Sequence, residues 1–149
     1  MKTITGNILD IDYGAICHQV NCQRVAGAGL ALQIKSKWPE WYTYYQKTNP
    51  TLGTTTIFPV QYNPGIWILS LYAQDNYGHG KRYTDYDAFH KCLKDVNWFT
   101  SILREHSPIY FPYGIGCGLG GGQWSIIEKI IEEEVPTAII VKLSKETKQ

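Results

Sequence analysis

The chain has 149 residues, of which 44% are hydrophobic and 18% charged, with a formal net charge of +1. That balance excludes a disordered chain, and it provides no overall field for a nucleic acid or a membrane surface, although a local basic patch stays open. The length predicts one domain over 1–149 that buries a core without staples. The cysteines, Cys17, Cys22, Cys92 and Cys117, contain no C-x-x-C pair, which argues against a zinc site. Met1 leads straight into strand-like sequence with no signal peptide, and no apolar run approaches a membrane span. A reducing, cytoplasmic setting is therefore expected, without a metal or cofactor, and the protein is expected to be a monomer.

Thr3–Leu9 reads as a first strand and its exit, with Gly6 and Asn7 able to end it beside a ligand. Asp10, Asp12 and Gly14 form a turn-like stretch. Ala15–Val20 is a second strand carrying Cys17 and His18. Asn21–Gly29 is a glycine-containing loop that runs into Leu30–Trp38, where Leu30, Ile34 and Trp38 recur at helical spacing. Pro39 interrupts that pattern, and Glu40–Lys47 reads as a short helix whose Trp41, Tyr42, Tyr44 and Tyr45 serve packing more than ligand stacking. Asn49, Pro50 and Gly53 mark a turn. Thr54–Gln61, the tight turn Asn63-Pro64-Gly65 and Ile66–Tyr72 predict a β-hairpin.

Ala73–Arg82 is a polar surface loop that either is simply solvated or offers Gln74, Asp75, Asn76, His79 and Lys81 to a ligand. Thr84–Leu103 is the longest helix, with Tyr86, Phe89, Leu93, Val96, Phe99 and Leu103 as its apolar stripe. Thr84 is expected to cap it, with Asp87 in the first turn. His90 and His106 read as helix-surface and helix-end residues. Ile109–Phe111 is a short strand. Ser125-Ile126-Ile127-Glu128 has capping-box spacing at the start of the last helix, whose stripe is Trp124, Ile127, Ile130, Ile131 and Val135. Thr137–Leu143 is an apolar final strand expected to be buried on both faces, and 144–149 is a polar tail.

The most informative stretch is Tyr113–Trp124, Y-G-I-G-C-G-L-G-G-G-Q-W, which holds six of the fourteen glycines. It leaves a strand and enters a helix. A loop so poor in side chains lets backbone N–H groups approach a ligand, and the helix start adds its own, which suits a phosphate or diphosphate. The alternative is a flexible connection. Strands alternate with helices apart from the one hairpin, which predicts an α/β fold with a mixed, mainly parallel sheet between helical layers. Ligands of such sheets bind beyond the carboxyl ends of the strands, which both glycine loops leave. The chain lacks G-x-x-x-x-G-K-[ST], a clean G-x-G-x-x-G with its distant acid, and G-x-S-x-G, which argues against ordinary nucleotide-triphosphate hydrolysis, nicotinamide redox chemistry and α/β-hydrolase chemistry. Cys117 lies in a loop that could lower a thiol pKa, but no base is placed for it.

Taken together, T-G-N-I-L, H-Q-V-N-C-Q-R-V-A-G-A-G-L-A and P-Y-G-I-G-C-G-L-G-G-G-Q-W resemble a macro domain over nearly the whole chain. The resemblance is to the branch that holds the ADP-ribose-1''-phosphate phosphatases of yeast and phage type and the terminal ADP-ribose glycohydrolases. It implies a three-layer α/β/α fold binding ADP-ribose or its 1''-phosphate in a cleft at the strand ends. By that resemblance Asn7 and Ile8 contact adenine, and Asn21 holds the distal ribose. Ala26, Gly27, Ala28 and Gly29 form the first loop beside that ribose and the phosphates. Ile115, Gly116, Cys117, Gly118, Leu119, Gly120, Gly121 and Gly122 form the diphosphate loop. His18 matches the phosphatase-type histidine, as a base or nucleophile acting with Asn21, or else as a structural hydrogen-bonder.

Glycohydrolases of the branch use a lysine after the fourth strand and an acid in the second loop, where this chain has Gln74 and Gly120. Some toxin–antitoxin relatives share that glycine. The resemblance thus implies a metal-independent phosphatase releasing phosphate from ADP-ribose-1''-phosphate. A glycohydrolase acting on ADP-ribosylated protein or nucleic acid, and a non-catalytic binder, are the alternatives. His79 and Lys81 are possible partners for the phosphate.

Overall fold

The computed structural model describes residues 1–103 and 107–144; His106 and most of the polar tail lie outside the described residues. The elements are β1 (Lys2–Thr5), a 3-10 turn (Ile8–Asp10), β2 (Gly14–Asn21), α1 (Gly29–Lys37), α2 (Pro39–Lys47), β3 (Thr55–Tyr62), β4 (Gly65–Gln74), α3 (Tyr86–Ile102), β5 (Ile109–Pro112), α4 (Trp124–Glu134) and β6 (Ile139–Lys142). The six strands form one sheet in the order β1-β6-β5-β2-β4-β3. Every neighbouring pair is parallel except the β3–β4 hairpin.

Strand periodicity splits the apolar residues between two cores. From β2, Ala15 and Cys17 face one side with Phe89, Leu93, Val96, Phe111, Ile127 and Ile131, under α3 and α4. Ile16 and Val20 face the other with Ile34, Trp41 and Tyr45, under α1 and α2. In β4, Leu69 and Leu71 join the first core while Ile68 and Tyr72 join the second. The result is the expected three-layer α/β/α arrangement, with the inner strands buried on both faces. In β6 that burial holds for Ile140 and Val141 and ends at the exposed Lys142. The α2 aromatics pack as expected: Trp41 stacks on Tyr45 with centroids 5.0 Å apart.

Two expected caps are absent. Asp85, not Thr84, caps α3, its side chain accepting the Ala88 N–H. The Thr84 hydroxyl is committed elsewhere, donating to the Gly116 carbonyl at 2.7 Å. At α4 the N-cap is Gln123, without a side-chain cap bond, and Ser125 already lies inside the helix; S-x-x-E spacing also arises within a first turn. His90 is exposed on α3 and pairs with Glu134 of α4.

Candidate functional site

Both glycine loops leave the carboxyl ends of central strands, β2 and β5, and line one cleft of about 510 Å³. Its first wall is Val25 with Gly27–Ala31 at the start of α1; its second is Pro112–Gly116 with Gly118–Gly120; the tip of the loop after β4, Tyr77–His79, forms a third side. Among the described residues no Asp, Glu, Lys or Arg lines it, so backbone amides and neutral side chains set its electrostatics.

The α1 start makes one side receptive to anions. Its N-cap is Ala28, which has no side chain able to satisfy the free amides. Gly29, Leu30 and Ala31 of the first turn all line the cleft, so unsatisfied N–H groups and the positive helix end face it. Sequence reasoning assigned this role to the helix after the long glycine loop. The structure assigns it to α1: neither Gln123 nor Trp124 lines the cleft.

Asn21 builds the first loop from within. Its Oδ1 accepts the N–H groups of Gln23 and Val25, each at 3.1 Å, and its Nδ2 donates to the Val25 carbonyl at 2.9 Å. The Tyr45 hydroxyl donates to the Asn21 carbonyl at 2.7 Å. Asn21 is thus mainly an organiser of the loop, with its side chain at the cleft wall. Asn21→Ala is expected to cost about 2 kcal/mol of stability through the lost buried bonds, read as a shift in the urea unfolding midpoint.

The second loop has a backbone that needs glycine: Gly114, Gly116 and Gly121 have φ of 79°, 76° and 73°. It is tied to the segment before α3. Gly116 carbonyl accepts the Gly122 N–H at 2.8 Å as well as the Thr84 hydroxyl, and Gly120 carbonyl accepts the N–H groups of Tyr83 and Thr84 at 2.8 and 2.9 Å. Thr84 also accepts from Gln19 Nε2 at 2.8 Å. Gln19 Nε2 donates in addition to Gln74 Oε1 at 2.7 Å, and Gln74 Nε2 donates to the Asn76 carbonyl at 2.8 Å.

Of the residues singled out from sequence, His18, Asn21, Gly27, Ala28, Gly29, Gln74, Ile115, Gly116, Gly118, Leu119 and Gly120 line the cleft. Ala26 does not; it is buried under the first loop with 3% exposure. Cys117, Gly121 and Gly122 shape the second loop from behind. The Cys117 thiol points to the Ile115 carbonyl at 3.4 Å, and burial raises its pKa, the reverse of what a nucleophile needs. Ile8 lines a separate hollow of about 230 Å³ with Gly6, Pro112, Tyr113, Val141, Lys142 and Leu143; Pro112 and Tyr113 also border the main cleft. Asn7 lines neither, and its Oδ1 accepts the Leu9 N–H at 2.9 Å, capping the 3-10 turn. Lys81 lies over the Tyr83 ring at 4.9 Å and is absent from the cleft wall, whereas His79 is exposed and part of it.

His18 has a setting unlike the one a general base requires. It is 1% exposed. Its Nε2 bonds Ser70 Oγ at 2.7 Å, its β4 register partner, and its ring meets Trp41 edge-on at 5.0 Å. Its Nδ1 is buried with no partner among the described residues, and burial holds its pKa down to about 3. A neutral, enclosed imidazole with so low a pKa is a weak proton acceptor. Sequence reasoning did not name Gln19, Val20, Val25, Leu30, Ala31, Tyr77, Gly78, Pro112, Tyr113 or Gly114 as site residues, although they line the cleft. Gln19 could have been flagged as a second polar residue beside His18 in a mostly apolar strand.

Among the described residues no group of three His, Cys, Asp or Glu is placed to hold a metal ion, and no helix is long and apolar enough to cross a membrane. No family profile matches the chain. Two sequence relatives cover 89% of it. An uncharacterized 17.5 kDa protein of Enterobacteria phage T4 is 27% identical, with 88% of its own length covered. The DNA ADP-ribosyl glycohydrolase of Thermus aquaticus is 26% identical, and the chain spans only 37% of that relative's length.

Among solved structures, a protein of unknown function from Bacteroides thetaiotaomicron is 30% identical, with a TM-score of 0.78 and coverage of 95% and 96% of the two chains. The macrodomain of Mycobacterium tuberculosis DarG gives a TM-score of 0.79 at 24% identity, covering 96% and 97%. Thermosipho africanus DarTG, solved with ADP-ribose, gives 0.71 at 19% identity, covering 92% of this chain and 39% of that one. The chain has the macrodomain fold.

Proposed function

We propose that this cleft binds ADP-ribose. The supporting observation is the convergence, in one neutral cleft, of the uncapped α1 start with a second loop whose glycines expose backbone N–H groups. Such a pair grips a diphosphate without any cationic side chain. The distal ribose then falls toward Asn21 and Gln74, and the adjoining hollow at Ile8 and Val141 receives the base. The complex of Thermosipho DarTG with ADP-ribose supports the same ligand on the same fold.

As the reaction we assign hydrolysis of ADP-ribose-1''-phosphate to ADP-ribose and phosphate. A cleft wall free of carboxylates tolerates a terminal dianion, whereas a cleft carboxylate would repel it. Proton transfer falls to the exposed His79 rather than to His18, which burial keeps neutral. The second reading is removal of ADP-ribose from DNA, favoured by the Thermus relative of that name. Against it stand Gln74 and Gly120, at the places where the resemblance expects a lysine and an acid.

Phosphate release from ADP-ribose-1''-phosphate in EDTA tests the assignment. The expected result is turnover that falls about tenfold to a thousandfold in His79→Ala. No phosphate release together with ADP-ribose release from modified DNA would replace it with the second reading. Binding with neither reaction would leave a pure binder.

A further inference from the structure

The polar side chains behind the second loop form a chain whose donor and acceptor roles are fixed at both ends. At one end the Gly116 carbonyl can only accept, so the Thr84 hydroxyl donates to it at 2.7 Å. Thr84 has a single proton, so toward Gln19 it must accept, and the Gln19 group facing it at 2.8 Å is the amide nitrogen. At the other end the Asn76 carbonyl can only accept, so the Gln74 group facing it at 2.8 Å is Nε2. Gln74 Oε1 therefore faces Gln19 at 2.7 Å, and the two Gln19 amide protons serve Thr84 and Gln74. Glutamine at position 19 fits because it supplies two donors from one nitrogen. The cost is visible: Gln19 Oε1 is buried with no partner among the described residues.

The outcome at the cleft is that Gln74 has its oxygen engaged by Gln19. Its Nε2 gives one proton to Asn76 along an exposed bond and retains a second with no protein acceptor among the described residues, on a residue that lines the cleft. We propose that Gln74 is a specificity-determining residue, oriented by Gln19 and Thr84 as a hydrogen-bond donor that selects ligands with an oxyanion on the distal ribose. This rests on the ADP-ribose reading above. It also gives Gln74 a use distinct from the lysine found in glycohydrolases: a neutral donor binds a phosphate oxygen and forms no covalent adduct.

The test measures binding of ADP-ribose-1''-phosphate and of ADP, which lacks the distal ribose, by calorimetry at pH 7.5 to three proteins that all carry His79→Ala to suppress turnover and are otherwise wild type, Gln74→Met and Gln74→Lys. Gln74→Met removes donor and acceptor together. It is expected to lose about tenfold in affinity for the 1''-phosphate, the worth of one hydrogen bond to a charged group, with a much smaller loss for ADP. Gln74→Lys cannot accept from Gln19 but can donate to the ligand, so it is expected to recover most of the affinity. A merely structural Gln74 would give equal losses in Met and Lys variants, or equal losses for both ligands, and either result overturns the proposal. Failure of the otherwise wild-type protein to bind either ligand would instead overturn the ADP-ribose reading itself. Melting temperatures of the variants report any general unfolding.

Discussion

Gly120→Asp is expected to abolish binding of ADP-ribose, weakening it at least a hundredfold by calorimetry. A Cβ at position 120 would lie 2.6 Å from Thr84 Oγ1, 2.8 Å from the Gly116 carbonyl oxygen and 3.3 Å from Gln19 Nε2. Thr84 cannot swing away without releasing Gly116, and the Gly120 carbonyl is held by two N–H groups of 83 and 84. The loop itself must therefore move, and with it the backbone amides that face the ligand. The added carboxylate would also stand in a cleft that no Lys or Arg lines among the described residues. Overpacking of this kind costs about 1–3 kcal/mol, less than most folded domains possess, so the variant is expected to fold while failing to bind. Gly120→Ala separates the two causes: it carries the clash without the charge, and its loss is expected to be large but smaller. Retained binding in both variants would show that the second loop is not the anion site.

A second large effect is acid sensitivity centred on His18. Its folded pKa of about 3 lies below the value of 6.5 for a free histidine. The unfolded chain therefore binds the proton that the folded chain refuses. Above pH 6.5 both states are neutral and the contribution to stability is intact. As pH falls from 6.5 toward 3 it is lost, by up to about 1.4 kcal/mol per pH unit. Near pH 5 the loss is expected to be about 2 kcal/mol. The structure supplies the reason: protonation would charge a ring with 1% exposure whose Nδ1 has no acceptor among the described residues. His18→Gln removes the titration, so its unfolding free energy is expected to change less between pH 7 and 5 than that of wild type. Equal pH slopes for the two proteins would mean that His18 is solvated in solution, which would return it to candidacy as a base.

Much of this architecture is legible in the residues. The apolar alternation of 14–21 and 65–74 specifies two buried faces, and the spacing of Phe89, Leu93, Val96 and Phe99 specifies α3. Both glycine loops stand out because glycine recurs where strands hand over to helices. What could not be read locally depends on partners distant in sequence. Thr84 looks like a helix cap until Gly116, across the fold, claims its hydroxyl. Ser125 has the spacing of a capping box, but Gln123 is already the cap. His18 looks like chemistry beside Asn21; strand alternation turns it inward onto Ser70 and Trp41, away from Gln19 and its polar chain. Gln19 draws no attention in the sequence because its significance lies in joining Gln74 to Thr84, residues separated from it by 55 and 65 positions. The anion-facing helix start belongs to α1 because its first turn, Gly29, Leu30 and Ala31, lines the cleft, whereas Gln123 and Trp124 at the start of α4 do not.

Calorimetric titration of ADP-ribose into the wild-type protein at neutral pH bears most directly on the cleft as a nucleotide site. The expected result is saturable binding at one site per chain that disappears in Gly120→Asp while the far-ultraviolet circular dichroism of the variant is unchanged. A folded wild-type protein that shows no heat and no displacement with ADP-ribose would contradict it.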